Sequence, residues 1–270
     1  MDTRLGVWTS YYIDLGPEEA VLELKKHGIT ATELSDEHGL MLLKRGEPGE
    51  VGAQFRAFAE KEGVEISQGH LWLNCRICED GAVDVLKNWL VLYEAIGIRN
   101  AVLHCDGLYG EEGLSDEERY ARNLASLRRI QKNTEGMKIR ICLENLTRIC
   151  PDADSINALI DELDEERFGI CLDTGHLNMC AQSQLDFILT AGKRLHALHI
   201  ADNEGKTDQH MMPFGRGNVD FAQVMRGLRE VEYEGLFNLE IPGERLAPLE
   251  IRGYKLEYIR KCYEYMLKSM

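Results

Sequence analysis

The sequence has no long apolar run, no cluster of basic residues and little proline, with 6 prolines among 270 residues. No stretch approaches the ~20 apolar residues that a membrane-spanning helix requires. The first ten residues lack the basic-then-apolar plan of a secretory signal. A cytoplasmic protein with no membrane partner is therefore expected. Basic residues number 31 against 46 acidic ones, for a formal net charge of −15. A field of that sign repels phosphate backbones and disfavours nucleic acid as a partner. The pair Cys75-Arg-Ile-Cys78 has CxxC spacing, but no second pair follows to complete a four-thiolate zinc site. Cys105, Cys142 and Cys171 sit inside apolar runs, where a reduced thiol serves as a small hydrophobic side chain. Linkers, repeats and low-complexity segments are absent, so residues 1–270 are read as a single domain. The charged stretch 111–119 is read as a solvated loop leading into a helix.

What remains is an alternation of short β-like runs with longer amphipathic ones. Strands are expected over 5–10, 29–34, 64–70, 101–104, 139–144, 168–173, 197–201 and 237–241. Helices are expected over 17–27, 50–63, 80–97, 115–134, 152–163, 183–192, 219–231 and 248–267. Pro17 suits a first helical turn, while Gly28, Gly63 and Gly97 fall where helices should stop. Asp220 is placed to cap the seventh helix. Eight such alternations predict an α/β chain closing as a single (β/α)₈ TIM barrel. A doubly wound open sheet is the alternative, and no GxGxxG follows the first strand to support it.

Four successive apolar runs end on a metal-competent side chain: Glu144 in KIRICLEN, Asp173 in FGICLDTG, His199 in LHALHIAD and Glu240 in FNLEIPG. In a parallel barrel all strands point one way, so their C-terminal ends meet at one rim. Three carboxylates gathered there repel one another unless a cation neutralises them. With one imidazole they make a mostly oxygen donor set suited to one divalent metal: Mn²⁺, Co²⁺, Mg²⁺ or Zn²⁺.

The motifs LEN at 143–145, LDTGH at 172–176, HIAD at 199–202, DQH at 208–210 and LEIPG at 239–243 resemble the xylose isomerase-like TIM barrel superfamily across essentially the whole chain. That group includes sugar and sugar-phosphate isomerases and epimerases, inosose-metabolising enzymes and endonuclease IV-type AP endonucleases. In its ketose 3-epimerase branch, the residues matching Glu144, Asp173, His199 and Glu240 bind one divalent metal, and those matching Glu144 and Glu240 also act as the catalytic acid and base. The resemblance implies a metal-dependent isomerase or epimerase in carbohydrate metabolism. It would abstract a proton next to a carbonyl and pass through a metal-stabilised enediolate. The partner would be a small sugar, polyol or sugar phosphate. Relatives are often dimers or tetramers, and the stretch 254–266 offers an apolar face for a homo-oligomer.

His176 matches a histidine that contacts substrate oxygens or a further metal in relatives. His70, His104, Asp208 and His210 are also assigned to the substrate pocket. Endonuclease IV uses matching positions, with those of the first four ligands and His176, to hold a zinc cluster. The alternative is therefore an abasic-site phosphodiesterase with up to three Zn²⁺; a related inosose or keto-sugar dehydratase or lyase is another. HMMPFGRG resembles the H-x-x-P-x-G-x-G loop of sugar-phosphate isomerase-like members, and its Arg216 is expected to meet a substrate phosphate or carboxylate. One departure stands out: ketose 3-epimerases carry an arginine shortly after the His199 equivalent, whereas this chain reads Ala-Asp-Asn-Glu-Gly-Lys over 201–206. Trp8, Tyr11, Tyr12, Glu33 and Trp72 are further candidates for the pocket wall. Asn145 and Arg148 are placed to orient the carboxylates.

Overall fold

The computed structural model describes residues 3–106 and 113–269. Eight strands, β1 (Arg4–Val7), β2 (Ala31–Leu34), β3 (Glu65–His70), β4 (Asn100–Leu103), β5 (Arg140–Glu144), β6 (Phe168–Asp173), β7 (Leu195–His199) and β8 (Leu236–Leu239), pair in parallel. The sheet runs from β8 through β1 and then in chain order to β7. Ile200 closes it against β8: its N–H donates to the Asn238 carbonyl at 2.8 Å, and its carbonyl accepts from the Glu240 N–H at 3.1 Å. The result is the expected (β/α)₈ barrel.

Around the barrel lie α1 (Pro17–Lys26), α2 (Asp36–Leu43), α3 (Pro48–Glu62), α4 (Ala82–Ile96), α5 (Asp116–Asn133), α6 (Ala153–Ile160), α7 (Thr174–Met179), α8 (Gln184–Ala191), α9 (Phe221–Glu230) and α10 (Leu249–Ser269). Their ends carry the predicted chemistry. Pro17 opens α1, and Gly63 and Gly97 take left-handed conformations that end α3 and α4. Asp220 accepts from the N–H groups of Ala222 and Gln223 at the start of α9. The helices α2 and α7 are additions to the sequence reading. At six residues, α7 is too short to display a 3.6-residue apolar period. Of the charged stretch 111–119, residues 111–112 lie outside the described residues, and α5 begins at Asp116. Among the described residues no helix is long and apolar enough to cross a membrane.

Strand alternation decides what enters the barrel. Val102, Cys142, Cys171 and Ala197 form a small apolar cluster of their own, separate from the larger core. Side chains two positions further along a strand share the same face. From these four residues that step leads to His104, Glu144, Asp173 and His199. The polar residues therefore face inward one level above an apolar plug. Apolar residues facing the other way, among them Leu103, Ile141, Leu143, Ile170, Leu172 and Leu198, belong to the larger core with residues of the surrounding helices.

Leu256, Ile259, Cys262, Tyr263 and Met266 of α10 are buried within the chain. Tyr254, Tyr258 and Tyr265 remain exposed. A tight crossing joins α3 to α4: a Cβ on Gly52 would meet the Leu92 carbonyl oxygen at 2.6 Å and Ala95 Cβ at 2.7 Å. Gly52→Ala should therefore lower the unfolding free energy by about 1–3 kcal/mol. Urea denaturation checks this, and an unchanged midpoint and slope would contradict the close approach.

Candidate active site

The C-terminal rim gathers the four strand-end residues as expected. One donor atom from each of Glu144, Asp173, His199 and Glu240 can be chosen so that all lie within 4.8 Å of one another, and all four residues are buried. Glu144 is the hub. Its Oε2 lies 3.0 Å from His104 Nε2, 3.2 Å from His199 Nδ1 and 3.4 Å from His70 Nε2, while Oε1 lies 3.2 Å from His176 Nδ1. Asp173 is held by Asn145, whose side-chain oxygen accepts from the Asp173 N–H at 2.7 Å and whose amide donates to the Asp173 carbonyl at 3.0 Å. Both bonds go to the Asp173 backbone, so Asn145 fixes the end of β6 and not a carboxylate. One Asp173 oxygen caps α7 by accepting from the His176 N–H at 2.6 Å, which turns the DTGH motif into a helix start that aims His176 at the site.

The remaining two residues arrive on the loop after β7. Asp202 pairs with Met211 in an antiparallel bridge, and its Oδ1 accepts from the N–H groups of Asn203 and Val219. Gly217 permits this fold-back, because a Cβ there would meet Asp202 Oδ1 at 2.1 Å. The doubled loop carries Asp208, whose two oxygens reach His176 Nε2 at 3.2 Å and His210 Nε2 at 2.9 Å. His210 Nδ1 lies 2.7 Å from the Glu240 carbonyl oxygen, tying this layer to β8.

These groups perturb one another strongly. Burial raises the Asp173 carboxyl to a pKa of about 6. Burial opposes charge on His70 and His210, yet Glu144 and Asp208 respectively outweigh it and raise them to about 9 and about 10. Burial also acts against ionised Glu144, but the imidazoles of His199 and His104 hold its pKa well below the usual carboxylate range. His104 itself is lowered by burial. Four atoms pointing into the cluster have no hydrogen-bond partner: Asp173 Oδ2, Glu240 Oε2, His70 Nε2 and His199 Nδ1. Glu240 Oε2 lies 2.9 Å from His199 Nδ1 without hydrogen-bond alignment. Buried lone pairs left without donors are what a cation would satisfy, so the donor set fits a divalent metal. Two further groups have the same competence: His70, Glu144 and His199, and Asp173, His176 and His210.

A cavity of about 390 Å³ opens above this cluster, lined among others by Trp8, His104, Glu144, His176, Asp208, His210 and Glu240. Several expectations are corrected. His70 is 1% exposed and lies beneath the cavity, among the metal-competent groups rather than at the pocket wall. Arg216 does not line the cavity; it stands in solvent beside Glu204, 3.3 Å away, because the loop turns it outward. Tyr11 and Tyr12 are fully buried under α10, with Tyr11 donating to the Arg252 carbonyl at 2.7 Å and the Arg252 guanidinium 4.5 Å from the Tyr12 ring centre. Trp72 and Arg148 each border other surface pockets. Glu33 is fully buried inside the barrel.

Sequence reading missed Arg76, which lines the cavity from the loop between β3 and α4. Asp106 anchors that loop, accepting from the N–H groups of Ile77 and Cys78, both at 2.9 Å. The signal available was a basic residue shortly after the strand ending at His70.

The profile described as xylose isomerase-like TIM barrel matches residues 21–262. The chain is 28% identical over 185 residues to an L-ribulose 3-epimerase of Methylomonas sp. (strain DH-1), covering 60% of this chain and 62% of that one. It is 26% identical over 230 residues to a probable endonuclease 4 of Mycoplasma pneumoniae, covering 75% and 76%. The first curated relatives it matches are spanned over 42% to 63% of their length. The crystal structure of a D-psicose 3-epimerase with D-tagatose from Clostridium cellulolyticum H10 superposes with a TM-score of 0.82 at 16% identity, covering 98% of this chain and 99% of that one, a likeness of fold. The chain belongs to the xylose isomerase-like TIM barrel family.

Proposed function

We propose that this protein is a divalent-metal-dependent isomerase or epimerase of a small sugar or sugar phosphate. One observation carries the reading. Glu144 and Glu240 belong both to the four-residue donor set and to the cavity wall, whereas Asp173 and His199 lie behind them. A metal held by these four would polarise a substrate carbonyl and acidify the neighbouring C–H. Glu144 and Glu240 are the acid/base pair: one carboxylate takes the proton from the carbon beside the carbonyl and the other returns one. His104, His176, Asp208 and His210 bind substrate hydroxyls from the rim. A cavity of about 390 Å³ is in the range of small-molecule sites and suits a monosaccharide. Arg76 takes over the role expected of Arg216, meeting an anionic substituent at the far end of the sugar.

A second reading has its own support. All nine residues His70, His104, Glu144, Asp173, His176, His199, Asp208, His210 and Glu240 converge on one rim, with three overlapping metal-competent groups among seven of them. That convergence favours an endonuclease IV-like multinuclear zinc hydrolase. The charge of −15 weighs against a duplex substrate.

The two readings part on measurable grounds. With Mn²⁺, Co²⁺, Mg²⁺ or Zn²⁺, a panel of ketoses, inososes and their phosphates should show solvent deuterium entering at the carbon next to the carbonyl. Glu240→Gln should reduce that exchange by about 10²–10⁴-fold; retained exchange removes Glu240 from the pair. Elemental analysis finding three zincs per chain, with cleavage of an abasic duplex, would install the hydrolase instead. Metal uptake at pH 7 should release protons, because His199, held well above the usual imidazole range by neighbouring acidic groups including Glu240 and Glu144 despite its burial, must give up a proton to become a ligand. Calorimetry in buffers of different ionisation enthalpy reads the number released, and zero would place the cation elsewhere. Arg76→Ala should raise KM for a phosphorylated substrate about tenfold or more while sparing its neutral counterpart; equal effects on both would show that Arg76 meets no anion.

A further inference from the structure

Below the metal-competent groups, on the side away from the cavity, lies a carboxylate that the proposed chemistry does not use. Glu33 of β2 is fully buried inside the barrel. Its Oε1 and Oε2 lie 3.1 and 3.0 Å from His199 Nε2. Oε2 also accepts from the side-chain amides of Gln68 at 2.6 Å and Asn238 at 2.5 Å. β3, β7 and β8 thus each send one polar side chain to the carboxylate on β2. The Gln68 amide also donates to the Leu198 carbonyl at 3.3 Å, while Gln68 Oε1 and Asn238 Oδ1 are left without partners. Val102, Cys142, Cys171 and Ala197 form an apolar cluster of buried side chains on β4 to β7. Apolar filling would close the barrel without the cost of burying a carboxylate.

A carboxylate ringed by donors only accepts, so the proton of a neutral His199 sits on Nε2. The lone pair is then on Nδ1, the atom 3.2 Å from Glu144 Oε2 and 2.9 Å from Glu240 Oε2, which has no hydrogen-bond partner. We infer that Glu33 is a positioning residue that fixes His199 as the Nε2–H tautomer and directs its Nδ1 lone pair at the bound cation. The inference rests on the metal centre proposed above. A carboxylate behind a ligating imidazole holds the ring in place and makes its free nitrogen a stronger donor. Gln68 and Asn238 keep that carboxylate from rotating away.

The test compares wild type with Glu33→Gln, which preserves shape and removes the charge. The dissociation constant for Mn²⁺, measured by calorimetry, should rise about 10–100-fold, and the visible spectrum of the Co²⁺-loaded protein should shift. A merely structural role would instead lower the melting temperature in EDTA and leave the Mn²⁺ affinity of the folded fraction unchanged; that result overturns the inference. A second measurement needs no variant at position 33. Nitrogen-15 spectra of Zn²⁺-loaded wild type, with His199 assigned by its loss in His199→Gln, should place the proton on Nε2. A proton on Nδ1 overturns the inference even if Glu33→Gln fails to fold. A wild type that binds neither Mn²⁺ nor Zn²⁺ removes the metal centre and this inference together, whereas equal Mn²⁺ affinity in wild type and Glu33→Gln removes only the role of Glu33.

Discussion

Everything at the rim of this barrel depends on how the charge of Glu144 is balanced. It is 1% exposed, and four imidazoles approach its two oxygens within 3.4 Å. A carboxylate so far from water is costly on its own. Its neighbours Asp173 and Glu240 add charge of the same sign. Histidine is the partner that suits the place, because it can carry the neutralising proton or surrender it to a cation. The arrangement therefore accommodates either protons or metal, and the raised His70 and His210 with the lowered Glu144 express that balance.

The barrel makes such crowding tolerable. Four rim residues are braced from behind by backbone or by a second polar side chain: His70 by the Leu71 carbonyl, Asp173 by Asn145, His199 by Glu33 and His210 by the Glu240 carbonyl. With one nitrogen of each of these three imidazoles satisfied, the other is left toward the cluster. Below them the small side chains of Val102, Cys142, Cys171 and Ala197 seal the interior from water. Low local polarity strengthens the interactions above, and fixed donors need little reorganisation when charge develops on a substrate.

The ligand inventory is compatible with two chemistries, and what separates them lies outside the shared four residues. Two loop segments border the same cavity: the fold-back of 202–217, which carries Asp208 and His210, and the β3–α4 loop, which presents Arg76. Family membership accounts for the barrel. Relatives named as a 3-epimerase and as a probable endonuclease are both within reach of one chain.

The primary structure alone determined the number of strands and most of their positions; the expected run 5–10 divides into β1, ending at Val7, and a 3₁₀ turn over Thr9–Tyr12. Short apolar runs and a metal-competent residue closing each of four of them are local signals, and Glu144, Asp173, His199 and Glu240 come together as those signals predicted. Directions that depend on how segments meet were not legible. Arg216 and Arg76 are alike as letters, and only the fold-back of one loop and the anchoring of another by Asp106 turn the first to solvent and the second to the cavity. Likewise Glu33 ends a strand run much as Glu144 does, yet the register shift between Thr32 and Glu33 accompanies its burial beneath the rim, in contact with His199. Alternation along one strand says which face a side chain takes; the depth it reaches inside a closed barrel is set by the stagger between strands, and that exists only once the sheet has closed.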